Sequence, residues 1–141
     1  MKLKDIMTDQ LSCVEPQSGI NEAAQVMKNL NVGSVPVCEQ NKPVGIITDR
    51  DIAVRNVADT GSPDEPVSKI MSSNLVCGSP DMTVEEAAQI MADNQIRRLP
   101  VVENGKLAGI VSLGDIAVDT GADMEAAKAL TNISIPSKPA R

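Results

Sequence analysis

The chain contains no Phe, Tyr or Trp and no His. Without aromatic rings, its core must be built from Val, Ile, Leu, Met and Ala, and no base can stack on an aromatic side chain. Without imidazole, it lacks the commonest general acid or base at neutral pH, which removes the easiest catalytic routes. No stretch approaches the roughly 20 apolar residues that span a bilayer. The opening MKLKDIMTDQ has no apolar run of the kind that marks a secretory signal. Cysteine is scarce. Cys13, Cys38 and Cys77 are odd in number and lack CxxC spacing, so neither a disulfide framework nor a zinc site is expected. That usage fits a reducing cytosol.

What is present is ordinary for a globular protein: 141 residues, 42% of them hydrophobic, with a net charge of -6. The length allows one domain or two small, mutually dependent halves. Nucleic-acid affinity rests largely on Lys and Arg displacing counterions from phosphates, so an acidic chain is a poor general partner for nucleic acid.

An internal repeat organises the chain. At an offset of 64 residues, Ile6-Met7 meets Ile70-Met71, Cys13 meets Cys77, and Pro16 meets Pro80. Glu22-Ala23-Ala24-Gln25 meets Glu86-Ala87-Ala88-Gln89, and Pro36-Val37 meets Pro100-Val101. Gly45-Ile46 meets Gly109-Ile110, and Asp51-Ile52-Ala53-Val54 meets Asp115-Ile116-Ala117-Val118, with no gap throughout. A duplicated structural unit follows, in the sense that fixed-period self-similarity marks repeat architectures. The expected divisions are a first repeat at 1–62, a second at 63–122, and a short C-terminal helix and tail at 123–141.

Each unit reads as β-α-β-β-α. Leu11 to Val14 is a short strand ended by Pro16. Ile20, Ala23, Ala24, Met27 and Leu30 recur at helical spacing, and Thr83-x-x-Glu86 is a capping box at the equivalent start. Val35 to Glu39 and Val44 to Thr48 are strands around the turn residues Gln40, Asn41 and Lys42. A short helix runs from about Asp49 to Val57. Asn56 to Pro66 is a linker, and ADMEAAKAL, rich in helix formers, is a further short helix. One repeat of about 55 residues buries too little surface to stand alone. Two copies packed sheet to sheet about a pseudo-twofold axis would leave two related clefts.

Two segments carry the chemistry: Gly45-Ile46-Ile47-Thr48-Asp49-Arg50-Asp51 and Gly109-Ile110-Val111-Ser112-Leu113-Gly114-Asp115. Each places a hydroxyl at a strand-to-helix junction, where unpaired N–H groups suit a phosphate. An Asp follows one turn later. Its carboxylate accepts hydrogen bonds only, which matches the two hydroxyl donors of a ribose. The same spacing is also that of a helix cap, with Asp in place of the usual Glu; both readings stand at this level. Cys13 and Cys77, at matched strand positions, read as small buried hydrophobes, with no partner residues to support a redox or metal role.

The combination of EAAQVM with EAAQIM, GSVPVCE with RRLPVVE, and GIITDRD with GIVSLGD resembles the CBS domain, and the pair resembles a Bateman module, over residues from about Lys4 to Val118. The layout is similar to the small stand-alone CBS-pair proteins of bacteria. The resemblance implies an α/β fold of two tandem CBS repeats and no catalytic activity. It also implies a cytoplasmic regulatory or sensory module whose ligand is an adenine nucleotide: AMP, ADP or ATP. It implies Thr48 and Asp51 in one cleft, and Ser112 and Asp115 in the other, as phosphate and ribose contacts. By similarity to the nucleotide-binding subunit of AMP-activated kinase, each cleft borrows walls from the opposite repeat. Val76, Ile96 and Arg98 then join Thr48 and Asp51, while Ser12, Val32 and Ser34 join Ser112 and Asp115. Arg98 and Arg50 make the Thr48/Asp51 cleft the expected stronger phosphate site. No metal or resident cofactor is expected. The expected partners are the nucleotide, a second copy of the chain and an effector protein, with no nucleic acid and no membrane. The alternatives are a ligand-free structural or interaction module, or a binder of S-adenosylmethionine, NAD or a cyclic dinucleotide.

Overall fold

A computed structural model describes residues 1–9, 11–73 and 75–120. The expected C-terminal helix and tail lie outside the described residues. The chain forms two compact units, each discontinuous in sequence. The first-repeat unit comprises Leu11–Leu75 with Gly105–Leu107. Among the described residues, the second-repeat unit comprises 1–9, 76–104 and 108–120.

In the first-repeat unit, α1 (Ile20–Leu30) is followed by β1 (Ser34–Glu39), β2 (Lys42–Thr48) and α2. Helix α2 begins as Asp49–Asp51 and continues as a π-helix over Ile52–Val57. In the second-repeat unit, α3 (Val84–Asn94), β3 (Arg98–Glu103), β4 (Lys106–Ser112) and α4 (Leu113–Thr120) repeat the order. The fold is therefore mixed α/β with two small sheets, one antiparallel β1–β2 pair and one β3–β4 pair. No described helix is long and apolar enough to cross a membrane.

The helix periodicity is borne out. Ile20, Ala23 and Met27 of α1 are buried, and Val84, Ala87, Ala88, Met91 and Ala92 of α3 are buried. Leu30, the last residue on the expected face, is 50% exposed. The helices start differently. Gly19 offers α1 no side-chain cap, whereas Thr83 Oγ1 accepts a hydrogen bond from the Glu86 N–H at 3.2 Å. Replacing an N-cap Thr by Ala typically costs about 1 kcal/mol. Thr83→Ala is expected to lower the unfolding free energy from denaturant titration by that amount, and Thr83→Ser to keep it; equal loss from both would deny the cap. Both helices close on a left-handed residue, Asn31 (φ 55°) and Gln95 (φ 54°).

Both hairpins turn through two residues of positive φ, Gln40 and Asn41 (50° and 68°) and Asn104 and Gly105 (54° and 78°). Two such residues are what a tight hairpin with right-handed strand twist requires. The strand expected at Leu11–Val14 is reduced to one parallel bridge, Val14 to Val37, matched by Gly78 to Val101. Only two backbone bonds hold the first bridge, Val14 N–H to Pro36 O (3.1 Å) and Cys38 N–H to Val14 O (2.8 Å). Pro16, two residues on, has no N–H with which to extend the pairing.

A duplicated lead segment precedes each repeat, and each packs into the unit of the other repeat. Leu3–Asp5 is a 3₁₀ turn in the second-repeat unit, and Val67–Lys69 is its equivalent in the first-repeat unit. Leu3 is fully buried among Val84, Ala87, Met91, Leu99 and Val111; Val67 is fully buried among Ile20, Ala23, Val35 and Ile47. Thr8 exchanges both backbone hydrogen bonds with Ile110, each at 3.0 Å, and Ser72 exchanges both with Ile46, at 2.9 and 3.0 Å. Lys4 and Lys2 sit 3.2 and 3.6 Å from Asp81, and they hold its carboxyl below the usual range, Lys4 foremost.

The lead segments explain the glycine that opens each chemical segment. A Cβ on Gly45 would meet Met71 Sδ at 2.7 Å and Ser72 O at 2.9 Å. A Cβ on Gly109 would meet Met7 Sδ at 2.6 Å and Thr8 O at 3.0 Å. Glycine there lets a backbone approach a strand closely.

Candidate functional site

The two hydroxyl–carboxylate pairs sit at the junctions where the sequence places them. Thr48 caps α2. Its Oγ1 accepts from the Asp51 N–H at 3.0 Å, while its own N–H donates to Asp51 Oδ2 at 3.0 Å. Ser112 does the same before α4: Oγ accepts from the Asp115 N–H at 3.0 Å, and its N–H donates to Asp115 Oδ2 at 2.9 Å. Each pair is thus a reciprocal cap that satisfies two backbone donors at a helix start. One oxygen of each carboxylate is committed to structure; what the other does separates the two sites.

Asp51 is 5% exposed, and its Oδ1 lies 3.9 Å from Arg55 Nε. Arg55 Nη1 also donates to the Ile70 carbonyl at 3.1 Å. Asp51, Arg55 and the lead segment thereby form one buried network, with both carboxylate oxygens engaged. Asp115 is half-buried, and among the described residues its Oδ1 has no partner. The residue equivalent to Arg55 is Asp119, so this fastening cannot be repeated there. Arg55 was not among the sequence candidates, although its spacing of i+4 from Asp51, against Asp119 from Asp115, was the available signal.

The strand residue beside each cap is the second recurrent feature. Ser34 starts β1 opposite Thr48 in the hairpin register, and its Oγ is buried without a hydrogen-bond partner. Arg98, the equivalent residue, starts β3, and the Leu113 N–H donates to the Arg97 carbonyl at 2.9 Å just as the Asp49 N–H donates to Gly33 O at 2.9 Å. Neither Arg97 nor Arg98 has a side-chain partner among the described residues. A buried hydroxyl left unpaired costs about 1–3 kcal/mol, so an orphan of this kind marks a place where water or ligand completes the bonding.

The remaining candidates distribute by unit. Ser12, Val32 and Arg50 share the first-repeat unit with Ser34, Thr48 and Asp51; Val76 and Ile96 share the second-repeat unit with Arg98, Ser112 and Asp115. Ser12 and Arg50 are exposed and Val32 is half-buried. Val76 and Ile96 pack against the second-repeat core. A shallow depression of about 510 Å³ lined by Glu15, Glu39, Gln40, Lys42 and Val44 lies at the β1–β2 turn, the hairpin end opposite Thr48.

The cysteines depart from the sequence reading. Cys13 is exposed rather than buried, and it has a partner after all: the Cys38 thiol donates to Cys13 Sγ at 3.5 Å. Comparing only the repeat equivalents Cys13 and Cys77 hid this, because the counterpart of Cys38 is Val102.

Comparison with known proteins bears on the family and the fold. The CBS domain family model matches twice, at residues 3–56 and 67–118. The CBS domain-containing protein YhcV of Bacillus subtilis is 51% identical over 132 residues, covering 94% of each chain. The CBS domain pair of MJ0100, solved in complex with 5-methylthioadenosine and S-adenosyl-L-methionine, superposes with a TM-score of 0.78 at 29% identity, covering 87% of this chain and 98% of that one. A hexameric CBS-CP12 protein from bloom-forming cyanobacteria superposes with a TM-score of 0.77 at 28% identity, covering 88% of this chain and 73% of that one.

Proposed function

Since the chain belongs to the CBS domain family and carries two copies of the domain, we propose that it is a non-catalytic regulatory module whose ligand is an adenine nucleotide: AMP, ADP or ATP. The observation that carries this is the recurrent polar side chain beside each cap, without a partner among the described residues. Among the described residues Ser34 Oγ, buried next to Thr48, has no partner, and neither has the Arg98 side chain in the equivalent place before Ser112. Arg98 favours an anionic ligand, because a guanidinium makes charge-assisted bonds to phosphate. The adenosyl compounds bound by MJ0100 support the nucleoside half. A ligand regulates only if it binds two states of the module unequally. Val54 and Val57 of α2 are 47% and 66% exposed, and Val118 of α4 is 83% exposed, each an apolar side chain in keeping with a homodimer.

Equilibrium dialysis is a direct test, because no aromatic side chain masks the ultraviolet band of a purine. Saturable uptake of AMP, ADP or ATP is expected. Ser34→Ala should weaken it without lowering the melting temperature, and should raise that temperature if the hydroxyl is left unpaired, since Ser34 Oγ has no partner among the described residues. Uptake of S-adenosylmethionine in preference to every nucleotide would overturn the phosphate part. No saturable uptake of any adenosyl compound would leave the ligand-free interaction module. That second reading is favoured by the reciprocal caps, which give Thr48 and Ser112 a complete structural role of their own.

A further inference from the structure

We propose that Cys13 and Cys38 are a redox modification site, at which a small-molecule disulfide oxidises the two thiols to one intramolecular disulfide that fastens the bridge at Val14 to β1. The inference is independent of the nucleotide reading.

The geometry is already close. The two sulfurs are 3.5 Å apart, and a disulfide bond is about 2.05 Å long, so they must close by about 1.5 Å. The backbones that carry them are tied together on both sides of Val14, by Val14 N–H to Pro36 O and Cys38 N–H to Val14 O. β1 and β2 shift register between Val37 and Cys38, where the ladder meets Pro43, which has no N–H to donate. A bulge of this kind re-aims the side chain that it carries.

The two thiols differ in the way a reacting and a resolving cysteine differ. Cys13 is exposed, whereas Cys38 is 5% exposed. Burial foremost, and then the contact with Cys13, push the Cys38 thiol up to about 12. It therefore stays protonated near neutrality, and only a thiolate attacks an oxidant. First attack falls to Cys13: its thiolate displaces one thiolate from the external disulfide, forming a mixed disulfide. Cys38 then gives up its proton to the departing second thiolate as its Sγ bonds to Cys13 Sγ. The sum is two protein thiols and one external disulfide giving one protein disulfide and two external thiols. In a reducing cytosol such a bond is transient and responds to oxidant. The second repeat is an internal control. Cys77 is half-buried, burial raises its thiol, and Val102 replaces the second cysteine.

The test is incubation of the folded, full-length protein with excess oxidised glutathione, followed by thiol titration after denaturation and by mass spectrometry. Titratable thiols should fall from three to one, with a mass loss of two hydrogens and no retained glutathione. Trypsin places Cys13 in peptide 5–28, Cys38 in 29–50 (Lys42 precedes Pro43) and Cys77 in 70–97, so an unreduced digest should contain 5–28 joined to 29–50. Cys38→Ser should trap the glutathione adduct on Cys13, and Cys77→Ser should oxidise like the parent. Three thiols still free, a lasting adduct on Cys13 in the parent protein, or a crosslink through Cys77 or between chains would overturn the proposal.

Discussion

Leu3→Ala should lower the stability of the protein by about 3 kcal/mol, and its melting temperature by roughly 10 °C for a chain of this length. A residue third from the start of a chain is ordinarily frayed and tolerant. Here it is fully buried in the second-repeat core, against Val84, Ala87, Met91, Leu99, Val101 and Val111. The backbone around it is anchored at several points. Its N–H donates to Met82 O at 2.9 Å, the Lys4 N–H to Pro80 O at 3.0 Å, and the Val84 N–H to Met1 O at 3.2 Å. Those bonds limit how far the segment can sink to fill the cavity left by a truncated side chain, which keeps the cost within the usual 2–5 kcal/mol for Leu→Ala. The loss is expected to be local as well as large. Amides of α3, β3 and β4 should lose hydrogen-exchange protection before those of α1 and β1. Mutation of Lys2 or Lys4 should do little, since their ion pairs with Asp81 are exposed and screened by solvent. An unchanged melting temperature for Leu3→Ala would mean that the lead segment is not part of this core.

That exchange of lead segments was not legible in the sequence, for a physical reason. Leu3, Ile6 and Met7 announce a buried segment, but the duplication presents the same receiving surface twice. Gly45 and Gly109 leave equivalent space beside equivalent strands. Hydrophobic pattern says that the segment docks, and says nothing about which copy receives it. The repeat, both apolar helix faces, both hairpin turns and both caps were legible, because each depends on residues near one another in the chain. The strand at Leu11–Val14 shrank to a bridge because its pairing is long-range and stops at Pro16. Cys13 and Cys38 belong to the same class: their proximity depends on a parallel bridge across 25 residues of chain. The resemblance supplied the candidate site residues, and the structure finds the same two caps; it adds the burial of Asp51 and the part that Arg55 plays in it.

Asp115→Asn should weaken nucleotide binding about tenfold to a hundredfold, and Asp51→Asn much less; the stabilities should rank the other way. Asparagine preserves the cap in both variants, because its amide oxygen can still accept from the Ser112 or Thr48 N–H. What it removes is the second acceptor, replaced by an NH₂ that only donates. At Asp115 that second oxygen has no partner among the described residues and is available to a ribose hydroxyl. A hydrogen bond to a charged group is worth about 1.5–3 kcal/mol, and each 1.4 kcal/mol is about tenfold in affinity. At Asp51 the second oxygen faces Arg55, which in turn holds the Ile70 carbonyl. The Asn variant would set an amide against a partly buried guanidinium, at a cost of about 1–3 kcal/mol in folding. The sequence ranks the Thr48/Asp51 site first by lending it Arg98 from the opposite repeat; the order expected here rests on the second oxygen of Asp115, which has no partner among the described residues. Isothermal titration with one nucleotide, alongside denaturant unfolding of both variants, separates the two roles. Greater loss of affinity from Asp51→Asn would favour the ranking read from the sequence and make the Arg55 contact part of the ligand site.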